Sequence, residues 1–159
     1  MRAWLLWFLL APNAFLLAGL WRDAGLPTVD AAVLMCVFLA FFAKRPAVPW
    51  LLLGAAIGRA LVDEATLPVQ ILVIGVPTAV LLPMRGLFFG QRWLWQSVAA
   101  AACAVAVPRL AGLCGRIFDQ PSASAHLDGM AVLWAAVLTP PLLWLARRLP
   151  PFAGFEDAA

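Results

Sequence analysis

Six stretches of the chain are apolar almost without interruption: residues 3–21, 28–43, 47–62, 69–84, 93–114 and 129–147. A half-buried strand alternates apolar and polar positions, and a membrane barrel needs many such strands of about ten residues. These long unbroken runs predict helices instead. Crossing a hydrocarbon core of about 30 Å takes about 20 helical residues, within a range of about 17–25. The second, third and fourth runs are short by that measure. As spans they have to borrow flanking residues, thin the bilayer or pack against longer neighbours.

The interruptions have local causes. Gly25 and Pro27 close the first connection, and Lys44-Arg45-Pro46 joins two charges to a helix breaker. Asp63-Glu64 and Pro68 bracket the third connection, and Arg85 and Arg92 bracket the fourth. The longest polar stretch is 115–128, and a tail follows Arg148 with Pro150-Pro151 and Glu156-Asp157. The expected architecture is therefore all-α: a polytopic membrane protein, a six-transmembrane-helix bundle forming one domain over 1–159, with 149–159 a flexible tail. No small-x-small cleavage site follows the first run convincingly, so that run is read as a retained span.

Composition agrees. Hydrophobic residues make up 65% of the 159 and charged residues only 12%, against about 25% in ordinary soluble domains. So few charges cannot wet the surface of a soluble domain this size, which excludes that class. The net charge of +3 reports topology rather than nucleic-acid binding, because the charges sit between the runs. With six spans, Arg2, Lys44, Arg45, Arg85, Arg92, Arg147 and Arg148 share one side. Asp23, Asp30, Asp63, Glu64, Asp119 and Asp128 lie toward the other. The positive-inside rule then places both termini in the cytoplasm. Trp4, Trp7, Trp21, Trp50, Trp93, Trp95 and Trp144 fall near span ends, where an interfacial belt is expected; Trp134 alone lies well inside a span.

Few residues carry candidate chemistry. Asp30 opens the second span, where free backbone N–H groups favour an acid. Asp63-Glu64 ends the third span, where the helix dipole disfavours acids, and Arg59 lies four residues earlier on the same face. Gly54-x-x-x-Gly58 makes a smooth face on that span, suited to close packing within the chain or against another subunit. Ala14-x-x-x-Ala18 is a weaker version in the first span. Pro12-Asn13 beside it predicts a kink and an amide able to bond to another helix. The segment 23–27 resembles 64–68, a spacing that two hairpins of bilayer-fixed length produce without duplication. His126 in Ser122-Ala-Ser124-Ala-His126-Leu-Asp128 is not read as a triad, since one short loop carries all of it. Cys36, Cys103 and Cys114 read as buried small hydrophobes. With a single histidine and no Gly-rich phosphate loop, no cofactor, metal or catalytic residue is expected, and the protein is read as non-enzymatic.

Residues 27–92 resemble the rod shape-determining protein MreD family. The resemblance rests on Pro27 and Asp30 opening the second span, on Gly54, Gly58 and Asp63 in the third, and on Gly75 and Arg85 in the fourth. Arg59 stands where that family has a glycine, and Pro68 replaces its loop glycine. The family is similar in fold to substrate-binding subunits of energy-coupling-factor vitamin transporters. The resemblance implies a scaffold of the cell-elongation and peptidoglycan-synthesis machinery, seated among membrane lipids and binding a single-span MreC-like protein, with no nucleic-acid partner. Gly54, Gly58, Arg59, Asp63 and Asp30 are then the candidate packing and partner residues. Arg85, Phe88, Phe89 and Arg92 are the candidate cytoplasmic contacts. The alternative is a vitamin-type binding subunit of an energy-coupling-factor transporter, with a site between the 63–68 and 115–128 connections.

Overall fold

The computed structural model describes residues 2–24, 29–86, 93–120, 129–149 and 152–155. Seven α-helices account for most of them: α1 (Arg2–Asp23), α2 (Ala31–Phe41), α3 (Val48–Ala60), α4 (Leu67–Leu81), α5 (Trp93–Ile117), α6 (Gly129–Ala146) and α7 (Phe152–Phe155). Each of the six apolar runs forms one helix. Four segments are long and apolar enough to cross a membrane: Trp4–Trp21, Leu67–Gly86, Trp93–Ile117 and Gly129–Ala146. Among the described residues the expected six spans are not confirmed by length, since α2 has only 11 residues and α3 only 13.

The reason for the short α2 lies in its position. It is apolar on every side, and of its residues only Leu34 is not fully buried, the mark of a helix enclosed by others. It contacts α1, α3, α4, α5 and α6. A helix wrapped by neighbours does not have to match the lipid thickness itself. Phe38, Leu39, Val37 and Cys36 on α2 join Leu51 of α3, Val73 and Ile74 of α4, and Val107 of α5 in one continuous core.

Prolines and caps set the ends. The Asp30 carboxylate accepts the Ala32 N–H at 2.9 Å and starts α2. A 3-10 turn over Arg45–Ala47 leads into α3, whose first turn contains Pro49, and Pro68 lies in the first turn of α4, where its missing N–H costs nothing. A second 3-10 turn, Pro83–Gly86, closes α4. Asp119 adopts a left-handed φ of 50° at the end of α5, and the Gln120 N–H returns to the Gly115 carbonyl at 2.9 Å. This is the six-to-one closure of a helix C-terminus.

The tail departs from expectation. Residues 152–155 are not loose: α7 buries Phe152 and Phe155. Phe152 stands edge-on to Trp7 and Phe38, and Phe155 edge-on to Trp4 at 4.5 Å. The Lys44 N–H donates to the Phe155 carbonyl at 2.9 Å. The tail thereby closes the bundle end where α1 starts and α2 finishes.

Candidate functional site

The end of α3 gathers most of the residues singled out in the sequence. Gly54 and Gly58 lie against α1. A Cβ on Gly54 would stand 2.8 Å from Trp7 Nε1, and one on Gly58 would stand 2.9 Å from the Ala11 carbonyl carbon and from Pro12 N. The smooth face is therefore filled by α1 of the same chain, which decides between the two packing partners considered above. Trp7 completes the contact by donating its indole N–H to the Leu51 carbonyl at 3.1 Å. Placed by its sequence position in the interfacial belt, Trp7 is instead fully buried. Trp21, Trp50, Trp93 and Trp144 remain exposed.

Directly after Gly58, Arg59 Nε and Asp63 Oδ2, one turn apart, are 3.7 Å from each other, with the two side chains 14% and 28% exposed. The same Asp63 oxygen accepts a 2.9 Å hydrogen bond from Gln70 Nε2 on α4. Gln70 is buried, its Oε1 has no hydrogen-bond partner among the described residues, and neither has Arg59 Nη1. The cluster thus has an internal ion pair, a carboxylate oxygen shared by Arg59 and Gln70, and, among the described residues, one buried donor and one buried acceptor without a partner. Beside it the turn continues outward through Leu61, 72% exposed, with Val62 and Glu64 also exposed. The Thr66 N–H donates to Gln120 Oε1 at 2.9 Å, so the α3–α4 turn is tied to the end of α5.

The other candidates lie apart from this cluster. Asp30 is a helix cap with its carboxylate on Ala32. Arg85 sits at the opposite end, its Nη1 donating to the Ala43 carbonyl at 2.8 Å. Phe88, Phe89 and Arg92 lie outside the described residues, as does the 122–128 segment with His126. Cys36, Cys103 and Cys114 are free and buried, and the Cys36 thiol points to the Ile74 carbonyl at 3.5 Å. Among the described residues, no three His, Cys, Asp or Glu side chains come together as a metal site would require.

Gln70 is the residue of this cluster that the sequence did not single out. Its role depends on α4 folding back along α3. The spacing from Asp63 to Gln70, across a turn containing Pro68, was the only available signal. Comparison of the chain with protein-family models, curated proteins and solved structures finds no match.

Proposed function

We propose that this chain is a non-enzymatic scaffold of the bacterial inner membrane, of the MreD type. In this reading it binds a single-span MreC-like protein within the cell-elongation machinery, with both termini in the cytoplasm. One observation carries the reading. The end of α3 presents Leu61, Val62 and Glu64 outward beside a partly exposed Arg59–Asp63 pair. An apolar contact flanked by charge suits a protein partner at the membrane surface. The sidedness draws support from the basic end of the bundle. Lys44, Arg85 and α7 meet there, and the Arg147 guanidinium lies 4.3 Å from the centre of the Phe42 ring. The test is co-purification with a single-span MreC-like protein from membranes of a rod-shaped host. Leu61→Ala with Val62→Ala is expected to reduce recovery at least tenfold, and deletion of the gene to round the cells. Unchanged recovery or unchanged shape would overturn the proposal.

A second reading is favoured by a different observation. Gln70 Oε1 and Arg59 Nη1 are buried without a hydrogen-bond partner among the described residues, and the α3–α4 turn is joined to the end of α5. That is where a vitamin-type ligand of a transporter subunit would sit. Mass spectrometry of gently extracted protein separates the two: a stoichiometric small molecule lost in Gln70→Leu supports the second, and its absence the first.

A further inference from the structure

The outward face of α1 has a spacing that neither reading uses. Leu6, Leu9, Asn13, Leu16 and Leu20 follow one another at intervals of three, four, three and four residues. That is the core pattern of a left-handed coiled coil, with Leu6, Asn13 and Leu20 at one core position and Leu9 and Leu16 at the other. All five are exposed, the four leucines at 43–68%. The opposite face of α1, with Trp7, Ala11 and Phe15, is the one buried on the rest of the bundle. The Trp4–Trp21 span is also only 17% buried, less than the other three.

Asn13 gives this face its meaning. It lies at the centre of the 22-residue helix, about 16 Å from either end at 1.5 Å per residue, and so near the bilayer midplane. Among the described residues it makes one side-chain hydrogen bond, from Nδ2 to the Leu9 carbonyl at 2.7 Å. Asn13 is exposed on α1, so in a bilayer its second N–H and its Oδ1 would meet lipid, which offers neither donor nor acceptor. We propose that this seam docks a second copy of the same chain, giving a parallel two-fold dimer in which Asn13 pairs with Asn13. An amide carries both donor and acceptor and is self-complementary. Two copies inserted in the same orientation present it at the same depth by symmetry. In a parallel pair like core positions face each other, so a single Asn there fixes register and dimeric state. A partner of another sequence would need a polar group at that same depth. The seam is on the far side of α1 from α3, so the proposal does not depend on the scaffold reading.

The experiment uses the full chain in native membranes and in bilayers. Leu9→Cys and Leu16→Cys are expected to give disulfide-linked dimers on mild oxidation. Phe8→Cys, exposed on α1 but off the seam, is expected not to. In bilayers, resonance energy transfer between labelled copies should report a dimer. Asn13→Leu should weaken it about 3- to 30-fold, the range one interhelical polar contact supports, and Asn13→Gln should retain it. The cysteine pattern is read on a chain with Asn13 intact, so it stands even if Asn13→Leu misfolds. Monomer at every protein-to-lipid ratio would overturn the proposal. So would equal cross-linking through Phe8→Cys, cross-linking to a different protein, or an Asn13→Leu dimer as tight as the parent.

Discussion

Two prolines inside these helices are each followed by a polar side chain that bonds back to the preceding turn. Pro12 is followed by Asn13, whose amide bonds the Leu9 carbonyl at 2.7 Å, and Pro77 by Thr78, whose hydroxyl bonds the Ile74 carbonyl at 2.8 Å. A proline removes one N–H and crowds the carbonyls of the preceding turn, and in a membrane such groups have to be satisfied within the protein. The side chain after each proline supplies a donor where the ladder is disturbed. Thr139 differs: it precedes Pro140, is fully buried, and its hydroxyl has no hydrogen-bond partner among the described residues. Replacing an unpartnered buried hydroxyl by a methyl of the same shape removes only a cost, whereas removing a bonded one loses a contact. Thr139→Val is therefore expected to stabilise the protein by up to about 1 kcal/mol and Thr78→Val to destabilise it by about 1 kcal/mol. Reversible unfolding in mixed micelles measures both, and equal effects of the two would refute the distinction. At this scale the sequence was partly legible. Asp30 as a cap and Arg59 with Asp63 follow from spacing along one helix. Trp7 was misplaced because the groups that cover it, Phe38, Leu51 and Phe152 of the folded tail, come from distant parts of the sequence.

Apart from α7, the helices were legible in approximate limits, because proline and charge clusters interrupt the apolar runs where the helices end. Their facing was not. When a helix is apolar all round, periodicity no longer says which side meets protein and which meets lipid. Only the small residues of α3 gave a hint, and they left the partner open until α1 was seen to occupy the groove. The two glycines differ in what would have to move. At Gly58 the obstruction is α1 backbone, Ala11 and Pro12; at Gly54 it is chiefly the Trp7 ring. A ring can tilt, although this one is held by its bond to Leu51, while a backbone has to carry its helix with it. Gly58→Ala is expected to cost about 3 kcal/mol and Gly54→Ala about 1–2 kcal/mol, the range seen for overpacked cores. Thermal unfolding in micelles gives the order, and a neutral Gly58→Ala would show that α1 and α3 are not in contact there. The end of α5 is the converse case. Asp119 holds φ of 50°, where glycine fits without strain, so Asp119→Gly is expected to stabilise by about 1 kcal/mol.

Across the whole molecule, the two ends of the bundle have different chemistry. One joins the start of α1, the residues around Lys44, Arg85 and α7 through bonds such as Lys44 N–H to Phe155 and Arg85 to Ala43. The other joins the α3–α4 turn, with Asp63 and Glu64, to the end of α5 through Thr66 and Gln120. The charge bias along the sequence made that division legible. How a helix as short as α3 can connect the two ends was not, because a length rule assumes contact with lipid on all sides. At 1.5 Å per residue, 13 residues reach about 20 Å, short of a hydrocarbon core of about 30 Å. For α3 to cross, the 3-10 turn before it and the turn after it would have to supply the rest, with the bilayer thinned beside Trp50 and Leu61, both exposed. If α3 crosses in this way, residues just before and just after it lie on opposite sides. Arg45 and Glu64 are both exposed, so Arg45→Cys and Glu64→Cys are accessible reporters, while the native cysteines are buried. With a membrane-impermeant maleimide on intact cells, Glu64→Cys should label and Arg45→Cys should label only after the membrane is opened. Labelling of both from one side would make α3 a re-entrant segment. It would also remove the common basis of the six-segment topology and of the cytoplasmic assignment of Lys44, Arg85 and the tail.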